Sequence, residues 1–341
     1  MGQRKRTKWG EAVRYDYLTD KIWNAPFLEA PFRHLEIRNF LETQNFERII
    51  NSPQISLPQV GTTEELIDEL HRSGYDTIQF PGCVASESEY LDWFHGRSKK
   101  KWHATTESFG IVFRLNNSAN EDLVDLNSYF HSNSFVDMLI EKFQISDPVT
   151  LDTGLQKYLH GYEISPHPDI RRKALAWMLN VNPGKVTQKI NYHTLYLKLK
   201  DQWAVISEFW RGNKDIDRDW LPWDWCEPEK QQTENNSMVF FRPCLNSLHA
   251  VKADYDHLVS QHTQYYSHRW LEKVNRPLAR FHNFEIAAQM MGSKNHDPVS
   301  KLKSSEPLRR FKSSRIGSVV KSVRDTFLPK SKAKKTRDVE S

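Results

Sequence analysis

The stretch from residue 163 to 183 constrains the fold more than any other part of this chain. It contains His167-Pro-Asp169, followed by an apolar run at residues 174–181 and then by Asn-Pro-Gly. A short apolar run that ends at turn residues is typical of a buried strand. Because His167 and Asp169 are two positions apart, both side chains point to the same side in an extended segment. The sequence therefore predicts a polar pair held on rigid β-structure.

Such a pair has two interpretations. It could be a loop pair that makes local hydrogen bonds, which the bare His-x-Asp triplet favours. Alternatively, the ring nitrogen and the carboxylate share one divalent metal ion. His249, after a second apolar run, is the best third ligand that the chain offers. Two histidines and one carboxylate form the facial triad of non-haem Fe(II) oxygenases, which leaves coordination positions open.

Composition narrows the class of protein. A chain of 341 residues with 11 Trp can bury a sizeable core, in one large domain or two small ones. No apolar run is long enough to span a bilayer, and the basic N-terminus lacks the apolar core of a signal peptide. Cys83, Cys226 and Cys244 are too far apart to suggest a disulfide framework or a zinc site. We expect a reducing, cytoplasmic compartment.

The net charge of +5 hides an uneven distribution. Residues 294–341 hold 14 Lys/Arg against 5 Asp/Glu, so the rest of the chain is mildly acidic and no nucleic acid is expected as a partner. The simpler interpretation of this basic tail is a solvated, partly disordered segment with a short helix. The alternative is an amphipathic helix, with apolar positions from Ile316 to Leu328, in weak contact with a membrane surface or a protein.

Periodicity predicts helices in the first half and strands in the second. Helices are expected at residues 45–50, 62–73 and 134–143, the second with a threonine cap. Strands are expected at residues 35–37, 174–181, 192–200, 203–209, 238–241 and 256–266. Several short strands spaced by turns suggest a sandwich or barrel, so the predicted fold class is α+β, a jelly roll backed by helices.

The order of these pieces resembles that of the 2-oxoglutarate/Fe(II)-dependent dioxygenases of the prolyl-4-hydroxylase-like group. The opening Pro31-Phe-Arg-His-Leu-Glu-Ile-Arg-Asn-Phe-Leu41 and the pair His167-Pro-Asp169 are similar to motifs of that group. Ser247-Leu-His-Ala-Val251 matches its distal histidine motif, roughly 80 residues later. The resemblance covers about residues 30–270.

The resemblance implies a double-stranded β-helix, which is a cupin-like jelly roll. It places a basic lead at residues 1–24 and a dioxygenase domain at 25–290, with helical support mostly at 40–150 and the jelly-roll core at about 155–270. A basic tail follows at 291–341. It further implies His167, Asp169 and His249 as ligands of Fe(II), with 2-oxoglutarate and O2 as cosubstrates and ascorbate as a candidate reductant.

One position departs from the family pattern. His262 stands where the family carries an Arg or Lys that binds the far carboxylate of 2-oxoglutarate. An imidazole grips a carboxylate fully only when it is protonated, whereas a guanidinium does so at any pH. Either His262 serves, or another basic residue substitutes, or 2-oxoglutarate binding is lost. The substitutes are Lys252, Arg242, Arg269, Lys198 and Lys200, and Tyr192 or Tyr196 could hydrogen-bond the cosubstrate.

These observations favour an oxygenase that hydroxylates an unactivated C–H bond and forms succinate and CO2. Because Asp169 is present, the resemblance implies hydroxylation and not halogenation. In the related halogenases the carboxylate position is Gly or Ala, which leaves room for chloride. The substrate could be a protein side chain, a glycan precursor or a metabolite, and the Trp-rich loop at 211–233 could stack a ring or pack as a lid. The alternative is a catalytically inactive member of the fold that acts as a binding protein. A third possibility is a docking protein whose basic tail is the working part.

Overall fold

A computed structural model describes residues 14–78, 86–99, 109–115, 118–183, 191–215, 217–258 and, as backbone alone, 265–273. Within these ranges the helices are α1 (Tyr17–Asn24), α2 (Thr43–Ile50), α3 (Thr63–Arg72), α4 (Glu87–Phe94), α5 (Glu121–His131), α6 (Asn133–Lys142) and α7 (Val205–Gly212). The strands are β1 (His34–Ile37), β2 (Tyr75–Thr77), β3 (Val112–Leu115), β4 (Val149–Tyr158), β5 (Glu163–His167), β6 (Lys173–Val181), β7 (Leu195–Leu199), β8 (Cys226–Gln231), β9 (Met238–Phe241), β10 (His249–Lys252) and β11 (Tyr265–Lys273). The tail predicted at 291–341 lies outside these ranges.

These strands form two antiparallel sheets. The larger sheet has the order β1-β9-β6-β11-β4-β3-β2, and the smaller has the order β5-β10-β7-β8. Strands β5 and β10 are far apart along the chain but are neighbours in the smaller sheet. The chain is therefore a mixed structure of helices and antiparallel sheets, as the sequence predicts.

Strand β6 is buried on both faces, which explains its nearly continuous apolar sequence. On one face, Trp177 packs in the core shared with the helices and meets the ring of Phe135 of α6 edge-on, at 5.8 Å between centroids. On the other face, Ala176 and Met178 pack with Tyr196 of β7. The larger sheet therefore has helices behind it and the smaller sheet in front of it.

The start of α3 follows from its capping residues. The Thr62 hydroxyl accepts a hydrogen bond from the Glu65 N–H, and the Glu65 carboxylate accepts one from the Thr62 N–H, both at 3.2 Å. This reciprocal capping box starts α3 where the sequence predicts it. The predicted helices at 45–50 and 134–143 and the strand at 35–37 are also confirmed. No helix in the described ranges is long and apolar enough to cross a membrane.

The strand predicted at residues 203–209 is wrong. A short 3-10 turn at Asp201–Trp203 is followed by helix α7, which takes the place of the predicted strand. Ile206 and Trp210, one helical turn apart, pack in an apolar cluster, while Val205 and Phe209 are exposed. A short apolar run does not by itself distinguish a helix from a strand.

The strand predicted at 256–266 is displaced. The described residues 256–258 form a turn, and β11 begins at Tyr265. The Asp256 carboxylate accepts a hydrogen bond from the Leu258 N–H at 2.9 Å, a local contact that favours a turn over a strand. Residues 259–264, between the turn and β11, lie outside the described residues.

His257 connects three parts of the fold. Its Nε2 lies 3.0 Å from the Thr63 hydroxyl at the start of α3, and its Nδ1 accepts a hydrogen bond from the His160 N–H at 3.1 Å. Because Nδ1 is an acceptor, the neutral ring carries its proton on Nε2 and donates it to Thr63. Burial, together with the nearby charges of His160 and Lys157, lowers the pKa of His257 from 6.5 to about 3.

We expect His257→Gln to reduce the loss of stability between pH 6.5 and pH 4. In this range the unfolded chain takes up a proton at His257 and the folded chain does not, so the stability present above pH 6.5 is lost as the pH falls. One such group lowers the free energy of unfolding by about 1.4 kcal/mol per pH unit. Urea unfolding at pH 4.5 and pH 6.5 measures the difference, and an equal pH dependence in both proteins would contradict the prediction.

A candidate metal centre

The strands that carry the two histidines of the sequence motifs, β5 and β10, are paired in the smaller sheet. His167 is the last residue of β5, His249 is the first residue of β10, and the two are direct partners in the antiparallel ladder. Their ring centroids are 4.3 Å apart. Antiparallel pairing thus places two imidazoles side by side that are far apart in the sequence.

A turn after β5 brings the side chain of Asp169 close to the two imidazoles. Its backbone has φ +62°, in the left-handed region that non-glycine residues rarely adopt, although Asp tolerates it better than most. The expectation that His167 and Asp169 share one extended segment is therefore wrong, because β5 ends at His167. The two side chains nevertheless converge, and such strained backbone is typical of functional sites.

The three side chains form a compact group. The distance from Asp169 Oδ1 to His167 Nε2 is 3.6 Å, and that from Asp169 Oδ2 to His249 Nε2 is 3.7 Å. One ligand atom from each residue lies within 4.8 Å of the other two, and all three residues are buried. The arrangement can hold one metal ion.

Backbone carbonyls orient both imidazoles. His167 Nδ1 lies 2.9 Å from the Ser165 carbonyl, and His249 Nδ1 lies 3.0 Å from the Ser247 carbonyl. Each Nδ1–H therefore donates to a carbonyl, which leaves the Nε2 lone pair free toward Asp169. Burial and the neighbouring His167 lower the pKa of His249 to about 3, so its ring is neutral at pH 7, as metal binding requires.

A lysine outside the sequence motifs, Lys173, fixes the charge of Asp169. Burial alone would raise the pKa of Asp169, but Lys173, His249 and His167 together hold it well below its usual value. The Lys173 ammonium lies 2.5 Å from Asp169 Oδ1. The only sequence signal for this contact is the spacing of four residues.

The other carboxylate oxygen supports a metal at this position. Asp169 Oδ2 is buried and has no hydrogen-bond partner among the described residues. An ionised buried oxygen without a donor is costly, and a cation bound between it and the two Nε2 atoms removes that cost. The donor set of two imidazoles and one carboxylate also suits Fe(II). The residues present therefore fit a divalent metal ion.

Tyr196, a candidate cosubstrate ligand, lies beside this group. It is the ladder partner of His249 on β7, and burial raises its pKa well above the usual value. Its hydroxyl donates to Gln232 Oε1 at 2.8 Å. The ring packs against Phe241, which itself contacts the His249 ring at 5.0 Å. Tyr196 is thus part of the apolar wall next to the candidate ligands.

The other residues that the sequence offers for cosubstrate binding have different surroundings from Tyr196. Tyr192 is buried in an apolar cluster with Tyr255, and Lys252 lies at the other end of β10 from His249, opposite Glu163. His262 lies outside the described residues, and Arg269 is described as backbone alone. The remaining basic candidates have other partners: Arg242 donates to the Phe143 carbonyl, Lys200 to the Asp224 carbonyl, and Lys198 lies 3.9 Å from both Asp201 and Glu227.

The Trp-rich segment is largely packed. Trp203 and Trp225 stack with ring centroids 4.0 Å apart, and Trp210 is buried. Trp223 donates its indole N–H to Glu163 at 2.6 Å, which fixes the segment to β5. These contacts favour the packed-lid interpretation over stacking of a ring substrate.

The class of protein is defined by two antiparallel sheets and a buried His-Asp-His group, which lies where two paired strands of the smaller sheet begin or end. No family model and no curated protein matches the chain. Solved structures similar to it include a prolyl hydroxylase from Trichoplax adhaerens in complex with a hypoxia inducible factor peptide, at 10% identity and TM-score 0.41, covering 75% of this chain and 87% of that one.

A second is a prolyl-4-hydroxylase from Pseudomonas putida, at 9% identity and TM-score 0.33, covering 62% of this chain and 98% of that one. A third is a 2OG-Fe(II) oxygenase family oxidoreductase from Burkholderia pseudomallei, at 10% identity and TM-score 0.29, covering 65% and 95%. The three neighbours are described as two prolyl hydroxylases and one 2OG-Fe(II) oxygenase.

Proposed function

We propose that this protein is an Fe(II)- and 2-oxoglutarate-dependent oxygenase that hydroxylates an unactivated C–H bond. The observation that carries this proposal is the buried group of His167, Asp169 and His249, with both Nε2 atoms and the unpaired Asp169 Oδ2 converging on one point. A structural hydrogen-bonding role would leave Oδ2 with a donor, whereas a metal site requires it to be free of one.

The strand order supports a double-stranded β-helix as the scaffold. In the run from β4 to β11, β4, β6, β9 and β11 belong to the larger sheet, and β5, β7, β8 and β10 belong to the smaller. Eight antiparallel strands divided between two facing sheets are characteristic of a jelly roll. In this scaffold the ligands lie at strand ends, where pairing between strands fixes their positions.

The protein's own residues would bind and shield the metal. His167 and His249, oriented by carbonyls, and the ionised Asp169 would be its ligands. Lys173 would hold one carboxylate oxygen in place, and Tyr196 and Phe241 would keep bulk water from one side. With 2-oxoglutarate and O2, Fe(II) would supply the oxidising power for hydroxylation, with succinate and CO2 as co-products. Ascorbate is a candidate reductant for such a centre.

The substrate class follows from none of these contacts. A protein side chain, a glycan precursor and a small metabolite are all compatible with the centre. We propose no nucleic acid partner, because the chain outside residues 294–341 is mildly acidic.

An anaerobic titration tests the proposal. Fe(II) and 2-oxoglutarate are added to the wild type and to His167→Ala, and visible absorption is recorded, because a charge-transfer band arises only when the keto oxygen and carboxylate bind the same iron. We expect the band in the wild type and none in the variant. Iron binding without a band at any pH would contradict the oxygenase proposal and favour a catalytically inactive binding protein.

A further inference from the structure

Among the residues that the structure describes, Arg218 is a buried cation without a hydrogen-bond or ion-pair partner. It lies in the segment between α7 and β8 and is only 6% exposed. Its Nε is buried without a hydrogen-bond acceptor, and within the described residues its guanidinium makes no hydrogen bond and no ion pair. Because a guanidinium stays charged in proteins and an unpaired buried charge is destabilising, this arrangement needs an explanation.

Backbone contacts hold Arg218 beside the candidate metal centre. The Asp217 carboxylate accepts hydrogen bonds from the N–H groups of Arg171 at 2.6 Å and Arg218 at 3.0 Å. Three residues further on, the Leu221 N–H donates to the carbonyl of Pro166, the residue before His167, at 2.7 Å. The segment that carries Arg218 is therefore fixed to the end of β5.

The charges around Arg218 do not neutralise it. Burial and the neighbouring Arg171 lower its pKa, and the nearby carboxylates of Asp169 and Asp217 only partly oppose this. Asp169 already has Lys173 at 2.5 Å, and Asp217 already accepts two backbone hydrogen bonds.

The other cations of this region are engaged. Lys173 pairs with Asp169, and Arg171 donates from Nη2 to the Trp210 carbonyl at 2.6 Å. Among these described neighbours, Arg218 is the cation still available to an incoming anion.

We propose that Arg218 binds a carboxylate of a ligand that enters the metal centre, through a bidentate ion pair. The proposal rests on the proposed function. It assigns anion binding to Arg218, which is not among the basic residues that the sequence offered for this role. A guanidinium matches the planar geometry of a carboxylate and binds it with two parallel hydrogen bonds. The carboxylate has two possible sources, the far end of 2-oxoglutarate or the primary substrate.

Calorimetry on Mn(II)-loaded protein tests the first source. The two ligands are 2-oxoglutarate and 2-oxopentanoate, which has the same chelating end but a methyl group in place of the far carboxylate. If Arg218 binds 2-oxoglutarate, Arg218→Gln should weaken 2-oxoglutarate binding by at least about 30-fold, the effect of removing one partner of a buried charge pair. Binding of 2-oxopentanoate should not change.

An experiment with acetate tests the second source of the carboxylate, the primary substrate. If Arg218 binds the substrate, 2-oxoglutarate binding is unchanged in Arg218→Gln. Acetate added to Mn(II)-loaded wild type that is saturated with 2-oxoglutarate should then show faster relaxation of its methyl protons, because it lies near the paramagnetic ion. Arg218→Gln should abolish this enhancement.

Two controls separate binding from structure. Arg211→Gln removes an exposed arginine that pairs with Glu208 on α7, and it should leave all titrations unchanged. Thermal unfolding of Arg218→Gln should show an unchanged or higher Tm, because an unpaired buried charge has been removed. A lower Tm, with both 2-oxoglutarate and acetate binding unchanged, would overturn the proposal and show that Arg218 is structural.

Failure of the proposed function gives a different result. If the wild type binds no Mn(II), the oxygenase proposal fails, while tryptophan fluorescence of the metal-free protein still reports acetate and 2-oxoglutarate binding. Quenching by either anion in the wild type but not in Arg218→Gln supports the anion site by itself. Equal quenching in both proteins overturns it.

Discussion

Asp169→Asn is expected to lose metal binding while keeping the shape of the site. Asn tolerates the left-handed backbone at this position, but its amide is neutral and removes the negative charge that lies 2.5 Å from the Lys173 ammonium. The positive charge of Lys173, which the carboxylate of residue 169 no longer offsets, lies close to the triad and disfavours a cation there. Substitutions of outer-shell partners cost about 10- to 100-fold in metal affinity, so loss of a direct anionic ligand should cost more than about 100-fold.

Co(II) titration followed by visible absorption measures this loss directly. Asp152→Asn is the matched control, because Asp152 is also a carboxylate paired with a cation, Arg114 at 3.0 Å, but is not part of the triad. We expect wild-type Co(II) affinity in Asp152→Asn. Tight Co(II) binding by Asp169→Asn would show that the carboxylate is not a ligand.

Gly161→Ala is expected to destabilise the fold by about 3 kcal/mol or more. Gly161 has φ +83°, and a Cβ atom there would lie 2.1 Å from Cη2 of Trp93. The Trp93 ring stacks on His160 at 5.8 Å and cannot move away freely. Strained backbone and overpacking each cost about 1–3 kcal/mol. Gly161 lies two residues before β5, so the disturbance is close to the strand that carries His167.

Gly212→Ala is the control for this substitution. Gly212 is the last residue of α7, and a Cβ atom there would have no neighbour within 4 Å. Ala at a helical position should be neutral or stabilising by up to about 1 kcal/mol. Chemical unfolding measures both variants, and an unchanged free energy of unfolding in Gly161→Ala would contradict the strain argument.

Local patterns in the sequence determined much of this protein. The capping box at Thr62 and Glu65 identified the start of α3, because capping depends only on residues three positions apart. The apolar run identified β6, because burial on both faces leaves few polar positions. The chemistry of His167, Asp169 and His249 identified three side chains that the fold brings within 4.8 Å of one another.

Contacts between distant residues decided the rest. Residues 205–210 fold as a helix because Ile206 and Trp210 pack beneath it, which a short apolar run cannot reveal. The left-handed turn at Asp169 and the pairing of β5 with β10 bring the three side chains together. Whether a charged group such as Arg218 is buried and unpaired depends on every element packed around it. Periodicity and capping are properties of neighbouring residues, whereas strand pairing and the burial of charge are properties of the whole fold.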